Sequence, residues 1–220
     1  MLLTDRVLFI DAEAIVIDKP AGLAVDAPRD GALSVEAHRS SLAFGFHRWP
    51  TIVHRLDRDT SGCLLLARTE RAHKKYAQAF EAGTVDKTYL AVIDGVPDAA
   101  EGRIDLPLAK VSSKAAGWRM VVDKKGKPAA TRWRVLASRD GQALIAFRPE
   151  SGRTHQLRVH AASGLGTPIA GDPVYGRAGG PMMLHAASLT VPRDGKPSIA
   201  ADAPLPPHFA DWNEAMKESA

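Results

Sequence analysis

The sequence predicts an α+β fold built on a mixed, mostly antiparallel β-sheet with a few flanking helices. Three observations lead there. Short apolar, β-branched runs outnumber helical patterns along the chain. Most connections between those runs are short enough to be hairpins rather than crossovers, and Asp140-Gly141 is a strong hairpin turn. The clearest helical periodicity is confined to one stretch, 69–83. Strands joined mainly by hairpins favour an α+β layout over a wound parallel sheet.

Taken in order, Val7-Leu8-Phe9-Ile10 and Ala14-Ile15-Val16-Ile17 read as two strands, closed by a turn at Lys19-Pro20-Ala21-Gly22. A helix is expected around Ser34 to Leu42, and 44–51 reads as irregular. An apolar strand containing Cys63-Leu64-Leu65-Leu66-Ala67 follows the first charged motif. In the helix over 69–83, Thr69 is the cap, Ala72, Tyr76, Ala79 and Phe80 share one face, and Gly83 is the stop. Lys87 to Ile93 reads as a strand ended by Asp94-Gly95. Weaker strands are expected near 119–122, 131–136 and 143–147. A helix capped by Ser151, carrying Thr154 and Arg158 on one face and finished by Gly164 and Gly166, is expected next.

The chain has 220 residues, 45% apolar and 25% charged, which suits one domain able to bury its core without disulfide or metal staples. Residues 1–220 are read as a single domain. The 29 Lys and Arg exceed 25 Asp and Glu, a balance that permits a polyanionic partner without requiring one. The single Cys63 excludes an internal disulfide, fits a reducing compartment and reads as a small core residue. No signal-peptide pattern and no apolar window of membrane-spanning length are present, so a cytoplasmic protein with no membrane partner is expected.

Two clusters concentrate reactive side chains. The first, His54-Arg55-Leu56-Asp57-Arg58-Asp59-Thr60-Ser61-Gly62, crowds arginines and aspartates beside an apolar strand. By spacing alone it fits equally a solvated charged turn and a catalytic loop held by a rigid strand. The second is Ser151-Gly152-Arg153-Thr154-His155-Gln156-Leu157-Arg158-Val159-His160. By itself it reads slightly better as an amphipathic surface helix. His155 and His160 are five apart and lack a Cys or carboxylate companion, which argues against a metal site. No phosphate-binding glycine loop, dinucleotide fingerprint or Gly-x-Ser-x-Gly elbow occurs.

In their order along the chain these motifs resemble the RluA-type RNA pseudouridine synthases. HRLDRDTSG matches that family's HRLDxxTSG signature. The resemblance extends through Val16-Ile17-Asp18-Lys19-Pro20-Ala21-Gly22-Leu23, Lys87-Thr88-Tyr89-Leu90-Ala91, GRTHQLRVH, Pro168-Ile169-Ala170-Gly171-Asp172-Pro173-Val174-Tyr175-Gly176 and Leu184-His185-Ala186. It implies a sheet with flanking helices around a central catalytic cleft, and isomerisation of uridine to pseudouridine without cofactor or metal. Asp57 aligns with the catalytic aspartate, Tyr89 with the tyrosine that stacks on the target base, and Arg158 with the basic residue that pairs with the catalytic carboxylate. Arg55 aligns with an arginine that enters the RNA stack as the nucleotide leaves. Lys87 and Arg153 are further candidates for RNA contact, with Arg132, Arg134 and the Lys124–Lys127 turn.

The resemblance further implies a monomer acting on structured RNA, a tRNA anticodon stem-loop, a large-subunit rRNA hairpin, or both. The pattern begins near residue 7, so the family's frequent N-terminal RNA-binding appendage is expected to be absent. Two departures fall together: residues 161–168 run one residue longer than the usual pattern, and Thr167 stands where many relatives carry histidine. A non-catalytic RNA-binding module and a metal-free ribonuclease using His155 or His160 are the rival readings.

Overall fold

The structure, a computed structural model, describes residues 2–28, 31–113 and 117–213. Its strands are β1 (Val7–Ile10), β2 (Ala14–Lys19), β3 (Thr51–Ile52), β4 (Ser61–Ala67), β5 (Asp86–Ile93), β6 (Glu101–Asp105), β7 (Leu108–Ser113), β8 (Gly117–Val122), β9 (Ala130–Arg139), β10 (Gln142–Pro149), β11 (Leu184–Val191) and β12 (Ile199–Asp202). The α-helices are α1 (Glu70–Glu81) and α2 (Gln156–Val159). The fold class is α+β, with mixed and mostly antiparallel pairing, as the sequence predicts. By internal contacts the chain forms two units: Met1–Lys87 with His185–Leu205, and Thr88–Leu184 with Pro206–Ala220.

In the first unit the strand order is β1-β2-β4-β11, with β3 paired to β4 and β12 to β11. The apolar runs of β2 and β4 are buried along their whole length, as expected of central strands covered on both faces. The β4–β11 pair is parallel, with Ser61 opposite His185 and Gly62 opposite Ala186. Helix α1 lays Ala72 and Tyr76 on a core that includes Val16, Leu65 and Leu189. Its start is the expected one, the Thr69 hydroxyl accepting from the Ala72 amide at 3.1 Å, a cap whose removal costs about 1 kcal/mol. Cys63 is a buried core residue, as its apolar context predicts.

In the second unit β5, β10, β9 and β6 follow one another as antiparallel neighbours, and β7 and β8 pair separately. Asp140 (φ 52°) and Gly141 (φ 76°) form the expected hairpin turn between β9 and β10. The core gathers Ala91, Ile93, Ile145 and Phe147 from the sheet with Leu157 and Ala161 from the helical segment.

Three expectations change. The helix near Ser34 is a 3-10 segment, Glu36–Leu42. Strands β3, β6, β7, β11 and β12 are not expected from the sequence, and Thr51, read as irregular, opens β3. The helix expected from Ser151 begins only at Gln156 and passes into a π turn at His160–Gly164. His155 in the left-handed region (φ 52°) blocks earlier helix, so Thr154 and Arg158 do not share a helical face. Ser151 does not cap the helix through a backbone amide; its hydroxyl donates instead to the Gln156 side-chain carbonyl at 2.8 Å.

Candidate active site

Asp57 lies in the connection between β3 and β4, in the first unit. That connection is tied at several points. The Nζ of Lys19, a fully buried residue at the end of β2, donates to the carbonyls of Pro20 (2.8 Å), Leu23 (2.8 Å) and Arg58 (3.0 Å). Gly22 and Arg58 add a reciprocal clasp: the Gly22 amide donates to the Arg58 carbonyl at 2.9 Å, and Arg58 Nε donates to the Gly22 carbonyl at 3.1 Å. The Thr60 amide closes a turn onto the Asp57 carbonyl at 3.1 Å. Leu56 beside Asp57 is buried, whereas Asp57 itself is half-buried.

The charge environment of this loop follows from those contacts. Burial pushes the Lys19 ammonium down to about 7, opposed by the carboxylates of Asp59, Asp57 and Asp18. His54 is held at Nε2 by the Leu65 amide at 3.0 Å and stacks on Phe80 at 4.4 Å between centroids. Burial, with the nearby Lys87 cation, pushes the His54 imidazole down to about 3, so it stays neutral and accepts from Leu65. Arg55 is exposed and pairs with Asp26 at 3.0 Å. The Ser61 hydroxyl meets His185 Nδ1 at 2.8 Å. Gly62 has φ +107°, and a Cβ there would lie 2.2 Å from the Ala186 carbonyl oxygen, so only glycine fits this parallel pairing. The HRLDRDTSG signature thus separates physically into an anchor (His54), a presented carboxylate (Asp57) and a splice into the sheet (Ser61, Gly62).

Lys87, expected among the RNA-contacting cations, is only 9% exposed. Its ammonium lies 5.6 Å from the centre of the Phe80 ring, and burial lowers its pKa. That placement suits packing and a cation–π contact better than an open phosphate contact.

The second unit carries Tyr89, Arg153 and Arg158. Tyr89 is half-buried on β5, opposite Phe147 of β10. Arg158 on α2 is 5% exposed and pairs in two-point fashion with Asp172, which is fully buried: Nε to Oδ2 at 2.7 Å and Nη2 to Oδ1 at 2.8 Å. Oδ1 also accepts from the amides of Val174 (2.8 Å) and Tyr175 (3.1 Å). Burial pushes the Asp172 carboxyl up, but Arg158 and the two amides outweigh it and hold the pKa below the ordinary carboxylate value. Asp172 therefore fixes the plane of the Arg158 guanidinium.

The surrounding segment is locked by Gln156, whose Nε2 donates to the Ala130 carbonyl (2.9 Å) and Thr131 hydroxyl (3.0 Å) while Oε1 accepts from the Arg153 amide (3.0 Å). Arg153 itself is exposed and donates from Nε to the Pro128 carbonyl at 3.1 Å. His155 and His160 take separate partners, although His155 lies outside the helix on which their spacing is read. His155 Nδ1 meets the Tyr175 hydroxyl at 2.9 Å, and buried His160 bridges Thr131 and the Leu106 carbonyl. Among the described residues no group of three or more His, Cys, Asp or Glu is placed to hold a metal ion. No helix among them is long and apolar enough to cross a membrane.

Sequence reasoning missed Lys19 as a loop anchor and Asp172 as the partner of Arg158. For Lys19 a signal existed: only Asp18 separates it from the apolar run of residues 14–17, so it is placed to be drawn into the sheet.

A strand-held aspartate loop in one unit, and in the other an arginine clamped by a buried aspartate together with a half-buried tyrosine on a strand, are the parts expected of an RNA-modifying isomerase. A family model for RNA pseudouridylate synthase matches residues 13–163. The chain is 60% identical over 214 residues to an uncharacterized RNA pseudouridine synthase of Zymomonas mobilis subsp. mobilis, covering 96% of this chain and 98% of that one. It is 38% identical over 180 residues to the ribosomal large subunit pseudouridine synthase D of the same organism, covering 79% of this chain and 56% of that longer one. Among solved structures it resembles human RNA pseudouridylate synthase domain containing 4, with a TM-score of 0.82 and 26% identity over 98% of this chain and 94% of that one. The chain belongs to the RNA pseudouridylate synthase family, and it is an isomerase acting on uridine in RNA.

Proposed function

We propose that the protein isomerises particular uridines in hairpins of large-subunit rRNA or in a tRNA anticodon stem-loop, with Asp57 as the essential carboxylate. The observation that carries this reading is the loop geometry. Lys19 and Gly22 grip the Arg58 carbonyl, directly after Asp57, so the carboxylate is presented by a fixed backbone. The reaction breaks the bond from sugar to base nitrogen, turns the base and rejoins it through carbon. It is redox-neutral, and a carboxylate acting as nucleophile or base supplies the chemistry it needs.

In this account Asp57, Tyr89 and Arg158 are the catalytic residues, with roles carried over from the family. Tyr89 holds the extruded base by stacking, worth about 1–3 kcal/mol. Arg158, its plane set by Asp172, is carried over as the basic partner of the catalytic carboxylate. Arg55 offsets the few kcal/mol lost when the uridine leaves its stack, by placing a flat guanidinium in the vacated space. Arg153 is an exposed cation suited to phosphate contact. The whole chain is proposed to act as one catalytic domain, monomeric and cytoplasmic. The likeness to a synthase named for the large ribosomal subunit supports rRNA as substrate.

Mapping pseudouridines across rRNA and tRNA, in cells with and without the gene, tests the substrate. The expected result is loss of pseudouridine at one or a few hairpin positions, restored by the wild-type gene. Unchanged maps would overturn the assignment.

A further inference from the structure

We infer that Trp118, at the edge of the β7–β8 hairpin, is a stacking platform for an unpaired base of the RNA substrate, and that this hairpin is a specificity-determining contact. The inference rests on the RNA-directed activity argued above and adds the contact that selects an unpaired nucleotide.

The indole of Trp118 is 47% exposed, an unusual position for the largest apolar side chain. It is nonetheless supported. The His155 ring lies 5.0 Å away, tilted by 33°, and the Lys110 ammonium lies 4.9 Å from the indole centroid. His155 is in turn fixed by the Tyr175 hydroxyl at 2.9 Å. That hydroxyl accepts from the Met120 amide, two residues beyond Trp118, at 2.9 Å. The aromatic surface is thus braced by the residue that opens α2, three positions before Arg158. Val111, across the hairpin from Arg119, is also exposed.

Charge identifies the occupant. From Leu108 to Lys127 the sequence contains six cations and one acid, Asp123, a larger excess than the net +4 of the whole chain. An exposed aromatic face within a local concentration of cations has the chemistry that binds single-stranded nucleic acid: the ring stacks on a base and the cations meet its phosphates. A protein partner docking an apolar residue would gain nothing from this charge. Fully paired RNA would engage the cations but offer no base face to the indole.

The test uses the full chain with two probes, a uridine-containing RNA stem-loop and a fully paired RNA duplex of matched length. Trp118→Ala should weaken stem-loop binding roughly 5- to 150-fold, the usual cost of losing one base–aromatic stack, and leave duplex binding within about twofold. Trp118→Phe, which keeps a flat ring, should retain most of the affinity. Stem-loop addition should quench indole fluorescence in the wild type more than in Trp118→Phe, and this readout needs no folded alanine variant. Stem-loop affinity unchanged in Trp118→Ala, equal losses on both probes, or identical quenching in wild type and Trp118→Phe would each overturn the inference. These readouts are binding measurements, so a failure of the Asp57 chemistry would leave them standing and is distinguishable from a failure here.

Discussion

The Lys19 ammonium donates to the Arg58 carbonyl at 3.0 Å, so a buried cation from one strand holds the backbone directly after Asp57. The same ammonium satisfies the carbonyls of Pro20 and Leu23. The turn that follows β2 and the loop that presents the carboxylate are thereby a single hydrogen-bonded assembly.

Replacing Lys19 with methionine removes the donor shared by the Pro20, Leu23 and Arg58 carbonyls, the last of which keeps the Gly22 amide, and an expected loss of about 1–3 kcal/mol follows. The pH dependence is more diagnostic. Burial pushes Lys19 down to about 7 from 10.5. Between those values the unfolded chain binds a proton that the folded chain releases, so this residue adds stability as pH rises across the window and carries its full burial cost below pH 7. The melting temperature of the wild type should therefore rise relative to Lys19→Met between pH 7 and 9.5. Parallel curves would contradict the assignment.

Gly62→Ala tests the splice between β4 and β11. The added Cβ would meet the Ala186 carbonyl oxygen at 2.2 Å, from a backbone at φ +107°. Backbone on both sides cannot yield cheaply, so the expected cost is on the order of 3 kcal/mol or more. Urea denaturation of the two proteins measures it, and near-wild-type stability would show that the pairing is not as described.

Asp172→Ala removes the buried carboxylate that holds two nitrogens of the Arg158 guanidinium and the amides of Val174 and Tyr175. The expected destabilisation is about 3–5 kcal/mol, read by urea denaturation. A change under about 1 kcal/mol would mean that Arg158 is satisfied without Asp172.

Much of this was legible in the sequence, for reasons that differ by element. Strands β1 and β2 followed from their apolar runs, and α1 from its spacing and its Thr69 cap. The β9–β10 hairpin followed from Asp140-Gly141. Strand β11 was missed because Leu184–Val191 mixes Ala, Ser and His without a clean alternation; its place is set by parallel pairing to β4, a long-range fact. The second motif was overextended as a helix because local propensity does not reveal the left-handed His155, which is held by Tyr175 from twenty residues away. The family resemblance pointed to Asp57, Tyr89 and Arg158, but not to what holds Arg158. Asp172 was visible only as part of a matching motif, and its pairing emerged from the folded chain.

The central claim is chemical, and tritium release from RNA labelled at uridine carbon 5 tests it most directly. When the base is rejoined through that carbon, the label passes to water. Wild-type protein should release it, while Asp57→Asn should bind the same RNA with similar affinity and release none above background. Release by Asp57→Asn at a rate comparable to wild type would contradict the account.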